Sequence, residues 1–570
     1  MFIIKYIFRF FKFIITEISA LIIKLIVLGI ILIFGFSYLS REKKPTIKSN
    51  TFLEVDLSKK YNENLIDSPL DFNTTSTNFY QLLEKIKFAK NDKKISGIVL
   101  FFDGNTLNKP QISELGEVLK DFKTARKPIY SYGAYIDNNS LLISSYSSAT
   151  FMPPSAATSA NITGYNKEIP YYKSLADKVG IDVDVIHVGN FKSYGENYKR
   201  KTISPEYKAN TKRILDKTYS MFVDDISKNR NISKYEFSKL TLSGDLMGGT
   251  SRTLLKNKLI DHLKYYENFK KSQKMKNTLL IERYSIPEIE KDNQIAIVYA
   301  NGEINYTGDN KKVGGIITPR RLITTLEKAN SNPKVKGIVL RINSPGGSAL
   351  ASDIIYNTVR SIKKPIYISI GSVAASGGYY IASGGNKIFA DKNSITGSIG
   401  VVSLIPNFKK LTEKVGVNME EISRGKDADL YSVMSPMTPE REAKIYQSNL
   451  RVYDEFLTKV SYGRNMTKEQ VHEIAQGKVW LGQEALKIGL VDQIGGLEDT
   501  ISSLATNLEI EKNYSVIEIP YEENLENIFE SFSSPFVKLN TLLNFKEQSN
   551  LKNIVKNDEL LFKPILYMSF

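Results

Sequence analysis

The stretch "KVKGIVLRINSPGGSALASDIIYNTVRSI", residues 334–362, changes its period halfway along. Gly337 to Ile342 is a short apolar run of the kind that buried parallel strands show, whereas from Ala351 to Ile362 the apolar residues recur at helical spacing. Between them "NSPGGSA" (Asn343 to Ala349) turns the chain with paired glycines. Strand, glycine turn and helix in that order form one unit of an α/β fold, in which helices cover a largely parallel sheet. The same unit occurs earlier, where "KISGIVLFF" (Lys94 to Phe102) answers "KVKGIVLRI" (Lys334 to Ile342). Three more landmarks follow in matching order. "KPIY" recurs at Lys127 to Tyr130 and Lys364 to Tyr367, "IPYYKSLADKVGID" from Ile169 parallels "IPNFKKLTEKVGVN" from Ile405, and "KLID" (Lys258 to Asp261) takes the place of "GLVD" (Gly489 to Asp492). The chain is therefore read as two tandem α/β repeats, spanning 46–268 and 293–508. A lysine-rich, sheet-poor linker is expected over 269–292, and 509–570 is left as a C-terminal tail.

At 570 residues the chain exceeds one compact domain, and it contains no cysteine. Disulfides, thiolate nucleophiles and cysteine-held metals are excluded. Its 77 Lys and Arg against 61 Asp and Glu leave a net charge of +16. These cations are dispersed, without the dense arginine runs or interleaved stacking aromatics of nucleic-acid sites, so no nucleic-acid partner is expected. An anionic membrane is the more natural neighbour.

Residues 1–45 point the same way. No charge interrupts "LIVLGIILIFGFSYL" (Leu25 to Leu39), and Ile22 and Ile23 extend the run if Lys24 snorkels. Lys5, Arg9 and Lys12 fall on one face of a preceding amphipathic segment. A retained single-pass anchor is expected rather than a cleaved signal, because no A-x-A-like site precedes "SREKKP". Arg41, Lys43 and Lys44 offset the earlier cations, so charge leaves the orientation open.

The repeats differ where chemistry is expected. "GSVAASGGYYIAS" (Gly371 to Ser383) sets Ser376 among small residues, whereas the first repeat has Asn138 at that place and loses the paired glycines as well. A serine nucleophile needs a base. His187, in a strand-like run, has no partnered carboxylate, His262 and His472 sit in segments that read as polar and helical, and "HEIAQ" lacks a zinc site's second histidine. A buried lysine can serve, since desolvation disfavours its ammonium. Lys192 in "VGNFKSYGE" and Lys426 in "SRGKDADL" occupy similar places in the two repeats. The more apolar surroundings of Lys192 (Val188, Phe191, Tyr194) favour it without excluding Lys426.

"SPGG", "AASGGYYIAS", "TGSIG" and "VGNFKS", in a duplicated α/β chain behind an anchor, resemble the signal peptide peptidase A (protease IV) family of the long, tandem type. The resemblance implies a Clp protease/crotonase-like fold and a Ser/Lys dyad, with Ser376 as nucleophile and Lys192 as general base. It also implies that Ser398 orients the lysine amine, and that Gly346 or Gly347 forms an oxyanion hole with the amide of Gly377. Further implications are digestion of released signal peptides and other short or unfolded chains, and no cofactor. A homotetramer, and a catalytic body on the extracytoplasmic side of a bacterial inner membrane, complete the picture. Val373, Tyr379 and Tyr380 are expected as apolar residues around the site.

Two alternatives stand beside this reading. A crotonase-like acyl-CoA enzyme shares glycine-backed oxyanion amides, but "NSPGGSA" and "VAASGGY" hold no carboxylate for it. A catalytically silent membrane-anchored scaffold would be expected to have lost at least one of Ser376, Lys192 and Ser398.

Overall fold

The computed structural model describes residues 46–64, 77–287, 289–308, 315–520 and 567–569. Among them, no helix is long and apolar enough to cross a membrane, and the expected anchor lies outside the described residues.

Each repeat is built on its own sheet. In the first, the strand order is His262–Leu263, Ala149–Met152, Ile129–Tyr132, Ile95–Phe101, Thr51–Asp56 and Asn277–Leu280, all paired in parallel. In the second it is Val479–Leu481, Ile395–Gly397, Ile366–Ala375, Val335–Ser344, Gln294–Asn301 and Ser515–Ile519, and only the first of these pairs is antiparallel. The continuous apolar runs are thus central strands covered on both faces. Ile338, Val339, Leu340, Ile342, Ile368 and Ile370 are fully buried.

The helical half of the opening stretch also forms as its spacing requires. Ser348 caps the helix Ala349–Ser361 by accepting from the Ala351 amide at 3.3 Å, a contact typically worth about 1 kcal/mol. Ala351, Ile355, Tyr356 and Val359 face the core, and burying an Ile- or Val-sized side chain contributes roughly 1.5–3 kcal/mol.

Duplication extends to hydrogen bonds. In "KPIY" each lysine closes a helix end, Lys127 donating to the carbonyls of Ala89 and Asp92 and Lys364 to those of Ala329 and Asn332. Asp261 and Asp492, which end "KLID" and "GLVD", each bind an arginine, Arg230 and Arg464, from the last turn of a 26-residue helix.

Two boundaries need correction. The 269–292 segment is not a sheet-poor linker: Asn277–Leu280 is an edge strand of the first sheet, on Thr51–Asp56. Likewise the tail begins inside the second domain, because Ser515–Ile519 pairs with Gln294–Asn301. Both strands close a sheet from far along the chain, and each is too short and too lysine- or glutamate-flanked to stand out by pattern.

The repeats also clasp one another. Asp182–Val188 of the first pairs antiparallel with Val401–Asn407 of the second, from Val188 opposite Val401 to Asp182 opposite Asn407. That register brings the residues just after Val188 beside those just before Val401.

Candidate active site

Ser376 follows the strand Ile366–Ala375 and precedes the short helix Gly377–Ala382. It adopts φ 58° and ψ −121°, a conformation that costs a non-glycine residue roughly 1–3 kcal/mol and persists only where its surroundings enforce it. Enforcement comes from both sides, since its amide donates to the Gly397 carbonyl at 2.8 Å and its carbonyl accepts from the Tyr380 amide at 2.9 Å. Asn343 fixes the strand end below it, its Oδ1 accepting from the Ser372 hydroxyl and the Val373 amide. Asp103 does the same for Ala134 and Tyr135 in the first repeat.

The cross-repeat clasp carries Lys192 to this serine. Its Nζ lies 2.8 Å from Ser376 Oγ, 3.1 Å from the Ser398 carbonyl oxygen and 3.2 Å from Ser398 Oγ. Lys192 is 4% exposed and Ser376 2%. Burial pushes the Lys192 amine down to about 7 from its ordinary 10.5, because a low-dielectric interior disfavours the ammonium. A neutral amine has two N–H donors and one lone pair. The Ser398 carbonyl can only accept, so it and the Ser398 hydroxyl take the two N–H groups, leaving the lone pair for the Ser376 hydroxyl proton. The carbonyl's share in this was not legible from "TGSIG", which suggested the side chain alone.

Lys426 is separated from the site, exposed on the 417–428 segment. His187 is exposed on the clasping strand with Nδ1 3.1 Å from the Gly189 carbonyl, His262 is exposed against the Phe151 ring, and His472 meets Tyr453 Oη. None reaches Ser376. Among the described residues no group of His, Asp and Glu is placed to hold a metal ion.

Of the two glycines expected as oxyanion donors, Gly346 is committed elsewhere: its amide donates to Ser344 Oγ at 3.2 Å. The amides of Gly347 and Gly377 have no acceptor among the described residues. Gly347 N lies 3.4 Å from where a Cβ on Gly377 would sit, so the two amides are neighbours. Gly346 (φ 106°) and Gly347 (φ 147°) occupy backbone regions that other residues rarely adopt. A Cβ on Gly346 would come within 2.8 Å of Ser376 Cβ and the Gly377 amide, and one on Gly347 would strike the Ile304 carbonyl. Tyr379 and Tyr380 do not line this space. Both are buried in the core, their hydroxyls donating to the Leu490 carbonyl and the Asp353 carboxylate. Val373 stays half-buried.

The first repeat holds the remains of a second such place. Asn138 is tied both ways to the Thr163 backbone, at 2.9 and 3.1 Å, and presents no nucleophile.

Comparison with known proteins gives the chain a family. The family model for Peptidase family S49 matches the chain twice, over residues 121–279 and 358–511. Protease 4 of Haemophilus influenzae is 33% identical over 74% of this chain and 72% of its own length, and Protease 4 of Salmonella typhi is 30% identical over 75% and 71%. A shorter relative, the putative signal peptide peptidase SppA of Enterococcus faecium, is 36% identical over 39% of this chain and 66% of its own. With two matched segments on two sheets, the chain belongs to Peptidase family S49 and is a serine peptidase of the tandem-repeat kind.

Proposed function

We propose that Ser376 and Lys192 form a composite Ser/Lys dyad, one member from each repeat, that hydrolyses peptide bonds. The observation that carries this is the 2.8 Å approach of a buried lysine amine to the hydroxyl of a conformationally forced serine. Ser376 Oγ attacks the peptide carbonyl carbon while Lys192 takes the hydroxyl proton. The carbonyl oxygen's developing charge falls to the Gly347 and Gly377 amides. As the C–N bond breaks, the Lys192 ammonium returns the proton to the leaving amine. The neutral Lys192 then deprotonates a water that attacks the ester carbon, and as the ester C–O bond breaks the ammonium returns that proton to Ser376 Oγ, releasing the carboxylic acid. Atoms balance with water alone, so the reaction calls for no cofactor. Ser398 is a positioning residue, since it aims the amine and does not touch the substrate.

Because Lys192 works only when neutral, kcat/KM should rise about tenfold per pH unit on the acid side and level off above an apparent pKa near 7, the value burial imposes on the amine. Initial rates from pH 5 to 9 on a fluorogenic apolar peptide check this. A flat profile through neutrality would remove Lys192 from the role of base.

For substrate and setting, the name of one relative, putative signal peptide peptidase, supports signal peptides, and the wider class of released, short or unfolded chains is what the family resemblance implies. Tethering by residues 1–45, with the body on the outer face of a bacterial cytoplasmic membrane, would hold the site where such apolar peptides are freed. The Clp protease/crotonase-like architecture is carried by the same family reading and fits the parallel sheets. A silent scaffold is disfavoured by the intact dyad geometry, and an acyl-CoA enzyme by the absence of a carboxylate from the "SPGG" and "AASGG" turns.

The homotetramer is what the family resemblance implies, and the repeats offer a contact through which copies could join. Gly180 and Gly189 of the first repeat pack against the second, their Cβ positions meeting Lys410, Leu411 and Gln476. Their counterparts Gly416 and Gly425 keep the same backbone, with φ 81° and 103° against 88° and 111°, yet among the described residues nothing lies within 4 Å of their Cβ positions. Gly477 likewise meets Lys192, whereas its counterpart Gly244 meets nothing among the described residues. Val415, Val417, Met419 and Ile422 are exposed on the unpartnered segment, and Leu242 and Met247 on the unpartnered socket. A second copy that repeats the internal clasp would fill both. Ile422→Asp should therefore lower the mass measured by light scattering, and an unchanged mass would reject this contact.

A further inference from the structure

A segment that no motif suggested holds both the base and its positioning serine. Gln476, Gly477 and Lys478 run between the Lys192 loop and the Ser398 turn, and bond to both through backbone alone. The Gln476 carbonyl accepts from the Phe191 amide at 2.8 Å, the Gly477 amide donates to the Ile399 carbonyl at 2.7 Å, and the Lys478 carbonyl accepts from the Ser398 amide at 2.8 Å. Contact is closest at three glycines. A Cβ on Gly477 would sit 2.5 Å from the backbone N and Cα of Lys192 and 2.6 Å from its Cβ. One on Gly189 would sit 2.5 Å from the Gln476 carbonyl carbon, and one on Gly400 would sit 2.9 Å from the Gly477 amide. Side chains lock the strap from outside. The Lys478 ammonium lies 4.2 Å from the Trp480 ring centroid and 5.3 Å from that of Phe191, the residue before the base, while the Arg213 guanidinium covers Trp480 at 4.8 Å. Arg213 comes from the first repeat and also donates to the Val479 carbonyl, so the strap is tied to both halves of the composite site.

We propose that the Gln476–Lys478 strap, through Gly477, is the positioning element of proton transfer: it seats Lys192 against Ser376 and keeps water from the amine. The proposal rests on Lys192 being the base. Glycine is required at 477 for contact as well as for its φ of 77°, because any Cβ must displace the Lys192 backbone, and a displacement of about 1 Å at a reacting group can cost roughly 100-fold in rate.

The test is the pH dependence of kcat/KM for wild type, Gly477→Ala and Phe191→Leu on the full chain in detergent, at matched folding by circular dichroism. In Gly477→Ala, kcat/KM at pH 7 should fall about 100-fold, and the acid limb should move to higher pH as the amine gains water, with part of the rate recovered at pH 9. Phe191→Leu loosens the strap without adding a Cβ or removing a charge, and should move the same limb upward with a smaller loss. Unshifted limbs in both variants, whatever the rates, overturn the proposal, since mere loss of folded protein scales a profile without moving it. Should Gly477→Ala not fold, Phe191→Leu alone decides. Failure of the underlying base assignment is seen separately, as a Lys192→Ala enzyme that keeps wild-type rates.

Discussion

Ser376→Ala and Lys192→Ala should each abolish peptide hydrolysis, lowering kcat/KM by roughly 10⁴- to 10⁶-fold, and the double variant should be no worse than either single one. Non-additivity is the informative part. A nucleophile and the base that activates it act as one unit, so removing either leaves only what the oxyanion amides and binding supply. The structure makes the unit a pair across a clasp: Lys192 reaches Ser376 because Asp182–Val188 of one repeat lies in register with Val401–Asn407 of the other. Lys426→Ala, on an exposed segment away from the site, should keep full activity. Rates on one fluorogenic peptide, with each variant at equal folded concentration, suffice. Independent losses that multiply in the double variant would mean that Ser376 and Lys192 do not share one proton, and activity lost with Lys426 would return the choice of base to the second repeat.

Much of the fold could be read because the chain states it twice. One run of strand, glycine turn and helix is ambiguous, but four landmarks in the same order impose two equivalent domains, and Asn138 in the place of Ser376 says which one cannot carry a serine nucleophile there. What stayed hidden depends on contacts between distant segments. Apolar neighbours favour Lys192 over Lys426 in the sequence, and the structure supplies a different ground, its amine 2.8 Å from Ser376 Oγ. Tyr194, one of those neighbours, is 63% exposed, whereas the amine itself meets the Ser398 turn and the Lys192 backbone packs on Gly477, both from the other repeat. Gly346 and Gly347 are indistinguishable in "SPGG". Only the Ser344 hydroxyl, which takes the Gly346 amide, separates them. The edge strands Asn277–Leu280 and Ser515–Ile519 were missed because each pairs with a partner more than two hundred residues away, and local pattern carries no trace of such closure.

Arg341 should prove the most costly side chain to remove outside the dyad. It is fully buried on Val335–Ser344 and reaches into the first repeat, donating to Glu63 at 3.0 and 3.3 Å and to Glu114 at 2.7 Å, with a further bond to Ser369 Oγ at 2.9 Å. Glu114 in turn accepts from the Leu497 amide at 2.9 Å, and Glu63 from Gln111 Nε2 at 3.1 Å. Replacing the guanidinium with an apolar side chain strands two buried carboxylates, and breaking a buried pair in this way typically costs about 3–5 kcal/mol. The cost has a pH signature. Burial already raises the Glu114 carboxyl above its ordinary value although Arg341 pulls it down, so without Arg341 it rises further. A carboxyl whose folded pKa lies above its unfolded one binds more protons folded than unfolded, and therefore loses stability as pH climbs from the unfolded value through the folded one. Arg341→Met should accordingly unfold at lower urea than wild type at pH 8, with the gap narrowing at pH 5. An equal gap at both values would mean that Glu63 and Glu114 find water or other donors once the guanidinium is gone. Arg341 stands two residues before Asn343, which holds the strand end beneath Ser376. Activity should therefore fall with the folded fraction and, in what stays folded, through a loosened Ser372–Val373 segment, so the charge network that joins the repeats also supports the serine that one of them supplies.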